Sequence, residues 1–307
     1  MNRWALTTPA VACCAATLLA TALLLLAVQP ALAVPHDVPP GLVAYRDLAY
    51  VAGGHERQKL DLYVPVAGEG PFPLIVWIHG GSWMYGSKEG CVPVPWALKG
   101  YAVASVNYRL SQDAAFPAQI EDCKAAVRWL RAHAREYRLD RDRLIAWGDS
   151  AGGHLAALLG TTGDDPGEGP PHESSRVQAV IDWYGRADLS RVCTDPAMAE
   201  HAVARLLGGS GPRMAEIARR ASPIAHVSPD DPPFLIMHGD RDATVPVQQS
   251  EAFAEALKRA DVPVTLVILN GVDHGGEEFL QPDRVRIIDS FLREYLQPVP
   301  DLRLRSP

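Results

Sequence analysis

The chain has 307 residues and a formal net charge of −7, with 48% hydrophobic and 21% charged residues. This composition is ordinary for a globular protein, so wholesale disorder and a fibrous architecture are excluded. The length fits one large domain or two modest ones. The acidic balance argues against a nucleic-acid partner, because binding to nucleic acid requires clustered lysine and arginine.

The N-terminal segment, residues 1–33, carries its single charge on Arg3, and its apolar centre ends in Ala-Leu-Ala at Ala33. This arrangement is typical of a secretory signal peptide. We therefore expect cleavage after Ala33, a secreted or periplasmic protein, and one folded domain over residues 34–307. An uncleaved membrane anchor is the alternative, because the uncharged stretch 10–28 is close to the length of a membrane span.

Three cysteines follow the leader, at Cys91, Cys123 and Cys193. An exported protein can form disulfides, but an odd number of cysteines leaves one thiol unpaired. Cys123 falls within a helical pattern and is predicted to be a small buried hydrophobe. Cys91 with Cys193 is therefore the pairing to consider, although the sequence does not fix its geometry.

Strand-like and helical patterns alternate along the rest of the chain. Two strand-like runs come first, at residues 42–51 and 59–66, and these can pair antiparallel at one edge of a sheet. Further short apolar runs follow at residues 73–80, 101–108, 144–149, 177–185, 233–240 and 264–271. Helical patterns lie between or after them, as a short helix ending near Gly100 and as segments 116–137, 151–160, 247–260 and 284–296. Strands separated by helices imply parallel β-α-β units in an open sheet covered on both faces.

Two segments interrupt this alternation. Residues 161–175 are rich in proline, glycine and polar residues, and are predicted to form a loop. Residues 186–231 contain only short helical patterns and fall between two strands. We interpret them as a lid-like insertion over the carboxyl edge of the sheet, within a single domain.

The pentapeptide Gly148-Asp149-Ser150-Ala151-Gly152 stands directly after a predicted strand and directly before a predicted helix. A Gly-x-Ser-x-Gly sequence in that context is typical of a nucleophile elbow, in which a sharp turn lifts the serine hydroxyl clear of the backbone. The amide groups at the start of the helix then face a developing anion. The alternative for Ser150 is an ordinary helix cap.

The sequence His79-Gly80-Gly81-Ser82-Trp83 follows the strand at 73–78. A glycine-containing loop there can supply backbone amides to an oxyanion, and we expect Gly81, Ser82 and Ala151 to donate them. His79 is interpreted as a residue that holds the loop. Trp83 is either a wall of the acyl pocket or a packing residue, because tryptophan is often buried for its area alone.

An acid and a histidine follow the last two predicted strands. Asp242 is the expected partner of the catalytic imidazole, and Asp240 is interpreted as a turn residue. His274 lies in a glycine-flanked loop 32 residues after Asp242. The chain order Ser150, Asp242, His274 is the order of an α/β-hydrolase triad.

With these motifs, the chain resembles α/β-hydrolase esterases of the bacterial feruloyl-esterase and acetyl-xylan-esterase-like group, which is related to the hormone-sensitive-lipase-like enzymes. The matching stretches include HGGSW, WGDSAGGHLAALLG, HGDRDATVP and GVDHGG, and together they span about residues 50–296. The resemblance implies an α/β-hydrolase fold and supports the triad and oxyanion assignments above. Ser82 stands where lipase-like relatives have a third glycine, and Ser111-Gln112 stands where they have an acidic Pro-Glu. These departures argue against transferring lipase specificity.

The sequence therefore predicts a secreted serine carboxylic-ester hydrolase whose substrate is a small-molecule or polysaccharide-linked ester. Short acyl or aryl esters are the broad class, and the resemblance implies feruloylated or acetylated polysaccharide. The chemistry requires no metal and no organic cofactor. A serine peptidase of the prolyl-oligopeptidase kind and a non-catalytic binding protein with a hydrolase fold are the alternatives. The sequence does not indicate an oligomeric state.

Overall fold

The computed structural model describes residues 38–164, 173–195 and 201–296, so the predicted signal peptide lies outside the described residues. Eight strands form one sheet: β1 (Leu42–Ala49), β2 (Lys59–Pro65), β3 (Phe72–Ile78), β4 (Ala102–Val106), β5 (Leu139–Asp149), β6 (Ala179–Trp183), β7 (Phe234–Gly239) and β8 (Val264–Leu269). Their spatial order is β1-β2-β4-β3-β5-β6-β7-β8. Strand β2 runs antiparallel to β1 and β4, and the remaining neighbours are parallel. The predicted mostly parallel sheet with an antiparallel edge is thus confirmed.

Seven helices accompany the sheet in the described part of the chain: α1 (Val94–Ala97), α2 (Ala118–Ala132), α3 (Ala151–Thr162), α4 (Ala202–Leu207), α5 (Ala215–Arg220), α6 (Gln248–Arg259) and α7 (Pro282–Leu296). Single turns of 3-10 helix occur at Ser190–Cys193, Pro212–Met214, Pro223–Ala225 and Glu277–Leu280. The four longer helices, α2, α3, α6 and α7, bury apolar side chains in the hydrophobic cores, and such packing supplies most of the stability of helices in proteins.

The two faces of the sheet carry separate hydrophobic cores. Side chains alternate along a strand, so Leu74 and Val76 of β3 face one core while Ile75 and Trp77 face the other. Helices α2, α3 and α6 pack on the first face, and α1 and α7 pack on the second. All five residues of β4 are buried, as expected for a central strand covered on both sides. This two-sided burial fixes the strand ends on which the site is built.

Strand β5 begins earlier and helix α2 ends earlier than the sequence predicts. The apolar run suggested a strand from 144, whereas β5 extends back to Leu139, which pairs with Phe72 across a register shift. Residues 140–143, Asp-Arg-Asp-Arg, have no apolar pattern. The first part of β5 therefore could not be predicted from hydrophobic periodicity. Helix α2 ends at Ala132, and Arg138 takes a left-handed φ of 57° as the chain turns into β5.

The disulfide considered between Cys91 and Cys193 is not formed, and all three described cysteines are free. Cys91 packs against the core of Ile75 and Trp77, whereas Cys193 packs against the core on the opposite face of the sheet. The sheet therefore separates the two thiols. Cys123 is buried, as predicted.

The segment between β6 and β7, residues 186–231, contains α4, α5 and three turns of 3-10 helix. Residues 196–200 lie outside the described part of it. It packs against α3, where the carbonyl oxygen of Ala221 lies 2.7 Å from His154 Nε2. Its interpretation as a lid stays a prediction. None of the helices within the three described ranges is both long enough and apolar enough to cross a membrane.

Candidate active site

Ser150 occupies a strained turn between β5 and α3. Its φ of 51° and ψ of −114° lie outside the usual regions for a residue with a side chain. The flanking glycines make this turn possible, because a Cβ on Gly152 would lie 1.9 Å from the carbonyl oxygen of Ile78. A Cβ on Gly148 would lie 2.3 Å from the backbone of Gly152. The sequence Gly-x-Ser-x-Gly thus forms the sharp turn that it predicts.

The structure brings the three predicted triad residues into one hydrogen-bonded chain. His274 Nε2 lies 2.9 Å from Ser150 Oγ, and His274 Nδ1 lies 2.6 Å from Asp242 Oδ2. Ser150 follows β5, Asp242 follows β7 and His274 follows β8. Because these strands are parallel, all three residues lie at the same edge of the sheet. A proton on Nδ1 that is donated to Asp242 leaves Nε2 free to accept the proton of the serine hydroxyl.

Asp242 is buried, and both of its carboxylate oxygens accept hydrogen bonds. Its Oδ1 accepts hydrogen bonds from the amides of Thr244 at 2.8 Å and Val245 at 2.7 Å. Burial alone would raise the pKa of this carboxyl, but hydrogen bonds from His238 and His274 hold the pKa of Asp242 well below its usual range. The group therefore stays ionised throughout the neutral range, as a partner of an imidazole must.

Asp240 has a different place in the same turn. Its side chain accepts a hydrogen bond from the amide of Gly271 at 2.6 Å and is exposed. This bond ties the loop after β7 to the loop after β8, which carries His274. The interpretation of Asp240 as a turn residue agrees with this contact.

A second histidine contacts Asp242, and the sequence analysis did not identify it. His238, fully buried at the end of β7, places Nε2 3.1 Å from Asp242 Oδ2 and 2.8 Å from the carbonyl oxygen of Val245. Both neighbours are acceptors, so Nε2 carries the proton and donates it. Nδ1 lies 2.6 Å from Ser250 Oγ. The only sequence clue was a histidine at a strand end four residues before the acid.

The loop after β3 provides candidate oxyanion amides. Gly81 and Ser82 have positive φ values of 109° and 55°. Within the described residues, no acceptor is found for the amides of Gly81, Ser82 or Ala151. The neighbouring Gly80 amide donates to Asp149 Oδ1 at 2.8 Å, which joins this loop to the serine turn. Burial raises the pKa of Asp149. The role of Asp149 was also missed from the sequence.

His79 is a buried residue that contacts this loop through its ring. Burial lowers its pKa to about 4, so the ring is neutral near pH 7. Its Nδ1 lies 2.7 Å from the carbonyl oxygen of Gly80, and its ring stacks on Tyr108 at 4.5 Å. Arg57 bridges His79 Nε2 at 3.3 Å and the carbonyl oxygen of Gly86 at 2.9 Å. These contacts agree with a loop-holding role for His79.

Two cavities border Ser150. The smaller, of about 50 Å³, is lined by side chains that include Trp83, Ala151, Arg186, His201, Ala202 and Val245. The larger, of about 390 Å³, is lined by residues that include Gly81, Asp149, Tyr184, His274, Gly275 and Gly276. Ser82, Ser150 and Thr244 line both. Ser150 therefore borders both a small space and a wider one.

Trp83 is both a cavity wall and a packing residue. Its indole is 3% exposed, and its Nε1–H donates to His154 Nδ1 at 3.1 Å. Burial lowers the pKa of His154 to about 4, so this ring is neutral and fixed. Trp183, at the end of β6, lines neither of the two cavities. It instead packs in an aromatic cluster with Trp77 and Trp147.

The described residues contain no group of three or more His, Cys, Asp or Glu side chains placed to bind a metal ion. His274, Asp242 and His238 instead form hydrogen bonds with one another, with Ser150 or with backbone atoms. The arrangement suits nucleophilic attack by a serine with proton transfer through an imidazole.

Comparisons with known proteins find esterases among the similar chains. Esterase LipC of Mycobacterium tuberculosis is 34% identical over 260 residues, which cover 78% of this chain and 64% of LipC. A truncated carbohydrate esterase from gut microbiota superposes with a TM-score of 0.76 at 31% identity, covering 82% of this chain and 96% of that one. The propionate-bound Est2 esterase of Thermogutta terrifontis gives a TM-score of 0.69 at 29% identity, covering 84% and 97%.

The chain spans about half to two thirds of the length of the curated relatives that it matches, at 64%, 47% and 52% for the first three. The BD-FAE family profile matches residues 60–257, which run from β2 into α6 and include both Ser150 and Asp242. His274 lies beyond the matched range but closes the hydrogen-bonded chain to those two residues. With the eight-stranded sheet, this match shows that the chain belongs to the BD-FAE family of α/β-hydrolases.

Proposed function

We propose that this protein is a serine carboxylic-ester hydrolase. The observation that carries the proposal is the hydrogen-bonded chain from Ser150 Oγ through His274 to Asp242, with links of 2.9 and 2.6 Å. LipC and the two solved neighbours described above are likewise named as esterases. A serine hydroxyl is a weak nucleophile, and an adjacent imidazole of fixed orientation activates it.

The proposed reaction has two stages. His274 Nε2 takes the proton of Ser150 as Oγ attacks the ester carbonyl, and the amides of Ala151 with Gly81 or Ser82 bind the resulting oxyanion. His274 then gives its proton to the departing alcohol, which leaves an acyl group on Ser150. Water deprotonated by His274 attacks this acyl-enzyme and releases the acid. Asp242 stays ionised and stabilises the imidazolium in both stages.

The two cavities suggest how a substrate lies. The departing alcohol must reach His274, which lines the cavity of about 390 Å³, so the alcohol occupies the larger space. The acyl group then enters the cavity of about 50 Å³ beside Ala151 and Trp83. A small acyl space with a roomy alcohol space fits short acyl esters of aryl or sugar alcohols. Acetylated polysaccharide belongs to this class, whereas a feruloyl group on the acyl side is too bulky for the small cavity.

The N-terminal segment supports export of the enzyme. Residues 1–33 have the pattern of a cleaved signal peptide, and a polysaccharide-linked substrate would be met outside the cytoplasm. The intact mass of protein recovered from the medium or periplasm tests this part. A mass that begins at Val34 supports cleavage, and a mass that retains residues 1–33 contradicts it.

The decisive variant is Ser150→Ala. We expect kcat/KM for p-nitrophenyl acetate to fall by about 10³-fold or more while the thermal unfolding midpoint changes little, because the variant removes the nucleophile and no packing. Ser290→Ala, an exposed serine on α7, is the matched control and should retain wild-type activity. Unchanged hydrolysis in a folded Ser150→Ala variant would remove Ser150 from the mechanism.

A further inference from the structure

An arginine side chain lines the small cavity beside the nucleophile. Arg186 follows β6 by three residues and shares this cavity with Ser150, Ala151 and Trp83. One hydrogen bond is found for its guanidinium within the described part of the chain, from Nη2 to the carbonyl oxygen of Thr244 at 2.6 Å. A guanidinium has five N–H donors, so most of its donor capacity is available to a ligand.

The charge of Arg186 also lacks a close partner. No carboxylate of the described residues lies within 4.0 Å of its guanidinium nitrogens, although Arg46, Arg109 and Arg143 all have such partners. The charge of Asp242 favours the cationic form of Arg186, but the oxygens of Asp242 are engaged by two imidazoles and two amides. Burial lowers the pKa of Arg186, which means that Asp242 compensates only in part for the desolvation of the cation.

His201 is the other titratable group that lines this cavity, and it is uncharged. It therefore neither repels an anion nor neutralises the charge of Arg186. His201 caps α4 by accepting the amide proton of Val203 on Nδ1 at 3.2 Å. Burial, followed by the positive charges of Arg186 and Arg191, lowers the pKa of His201, so its ring is neutral near pH 7. Its Nε2–H is then a further donor. The small cavity thus combines one cation with neutral donors.

We propose that Arg186 selects esters whose acyl group carries a carboxylate, such as half-esters of short dicarboxylic acids. This inference rests on the proposed esterase function and on the assignment of the small cavity to the acyl group. A volume of about 50 Å³ holds about three to five water-sized atoms, since one water needs about 10–15 Å³ on this measure. That space matches the methylene and carboxylate atoms beyond the carbonyl of a malonyl or succinyl group. The guanidinium fork pairs with such a carboxylate in bidentate fashion.

The test compares two esters that differ only in charge. Monoethyl succinate carries a terminal carboxylate, and ethyl succinamate carries an uncharged amide of the same shape. We expect the wild-type kcat/KM to favour monoethyl succinate by about 10- to 100-fold, the factor typical of a hydrogen-bonded contact with a charged group. In Arg186→Gln this ratio should fall to near one. Arg205→Gln, an exposed arginine on α4 of the same segment, is the matched control and should keep the wild-type ratio.

A second pair of esters tests the side on which the carboxylate lies. The pair 3-acetoxypropanoate and 3-acetoxypropanamide carries the same change on the alcohol, and we expect Arg186→Gln to leave its ratio unchanged. The proposal would be overturned if the wild-type enzyme did not favour monoethyl succinate over ethyl succinamate. It would also be overturned if Arg186→Gln left this kcat/KM ratio unchanged, or changed only the ratio of the alcohol-side pair. Hydrolysis of p-nitrophenyl acetate by the same samples separates this failure from failure of the esterase function itself.

Discussion

The two cavities beside Ser150 are built from different parts of the chain. The larger is walled by turns that directly follow the strands, and these turns also carry Ser150 and His274. The smaller receives Arg186, His201 and Ala202 from the segment inserted between β6 and β7. The strand ends therefore hold the reacting groups, whereas the insertion lines the smaller cavity beside them. We expect substitutions at the strand ends to change the catalytic rate and substitutions in the insertion to change substrate selectivity.

Outside the triad, the largest effect is expected from His238→Phe, which removes a hydrogen-bond donor to Asp242 and changes no residue of the insertion. Asp242 would lose its 3.1 Å contact with His238 Nε2, and the buried carbonyl of Val245 would lose its partner. We predict that kcat for p-nitrophenyl acetate falls about 10- to 100-fold while KM changes little, because Asp242 positions His274 less firmly. Steady-state kinetics measure both constants.

Ser250→Ala is the control for that variant. It removes the hydroxyl 2.6 Å from His238 Nδ1 but leaves the bond from Nε2 to Asp242. We expect kcat to stay within about threefold of wild type, since the contact between His238 and Asp242 is kept. Equal losses in the two variants would show that His238 acts through packing rather than through Asp242.

A smaller effect, confined to longer acyl chains, is expected from Ala202→Leu. Ala202 lines the small cavity, so a leucine there fills much of its volume of about 50 Å³. We predict that kcat/KM for p-nitrophenyl butyrate falls about 10-fold while that for the acetate changes by less than about threefold. Equal effects on both esters would contradict the assignment of this cavity to the acyl chain.

The smallest effect on activity is expected from Asp182→Asn, at the point where β6 leads into the insertion. Asp182 is buried and accepts the amide proton of Gly185 at 2.9 Å, a bond that an asparagine oxygen can keep. Burial raises the pKa of Asp182 to about 6. Its protonated form is therefore favoured in the folded state, and this contribution to stability is lost as pH rises from about 4 through 6.

Relative to Asp182→Asn, the wild type should lose about 2–3 kcal/mol of unfolding free energy over that pH interval, because one pKa unit corresponds to about 1.4 kcal/mol. Urea unfolding of both proteins at several pH values gives the difference, and subtraction removes the contributions of the other carboxyl groups. If the unfolding free energies of the two proteins changed equally with pH, the pKa of Asp182 would not be raised. Hydrolysis of p-nitrophenyl acetate should stay within about twofold of wild type.

Features marked by a local pattern could be predicted from the sequence, whereas features that depend on contacts across the fold could not. The sheet and Ser150, Asp242 and His274 were accessible because buried parallel strands are continuous apolar runs and the functional residues follow them. The extension of β5 to Leu139 was hidden by its charged residues. His238 and Arg186 were not identified, because their roles depend on contacts across the fold rather than on local spacing. The opposite placement of Cys91 and Cys193 likewise follows only from the sheet.

The most direct measurement of the central claim is covalent labelling by a fluorophosphonate, followed by peptide mass spectrometry and assay of the same sample. The account predicts one modification, on Ser150, with ester hydrolysis lost in proportion to labelling and with labelling strongly slowed in His274→Ala. A folded protein that is not modified, or one that is modified at another residue while Ser150 stays free, would contradict the account.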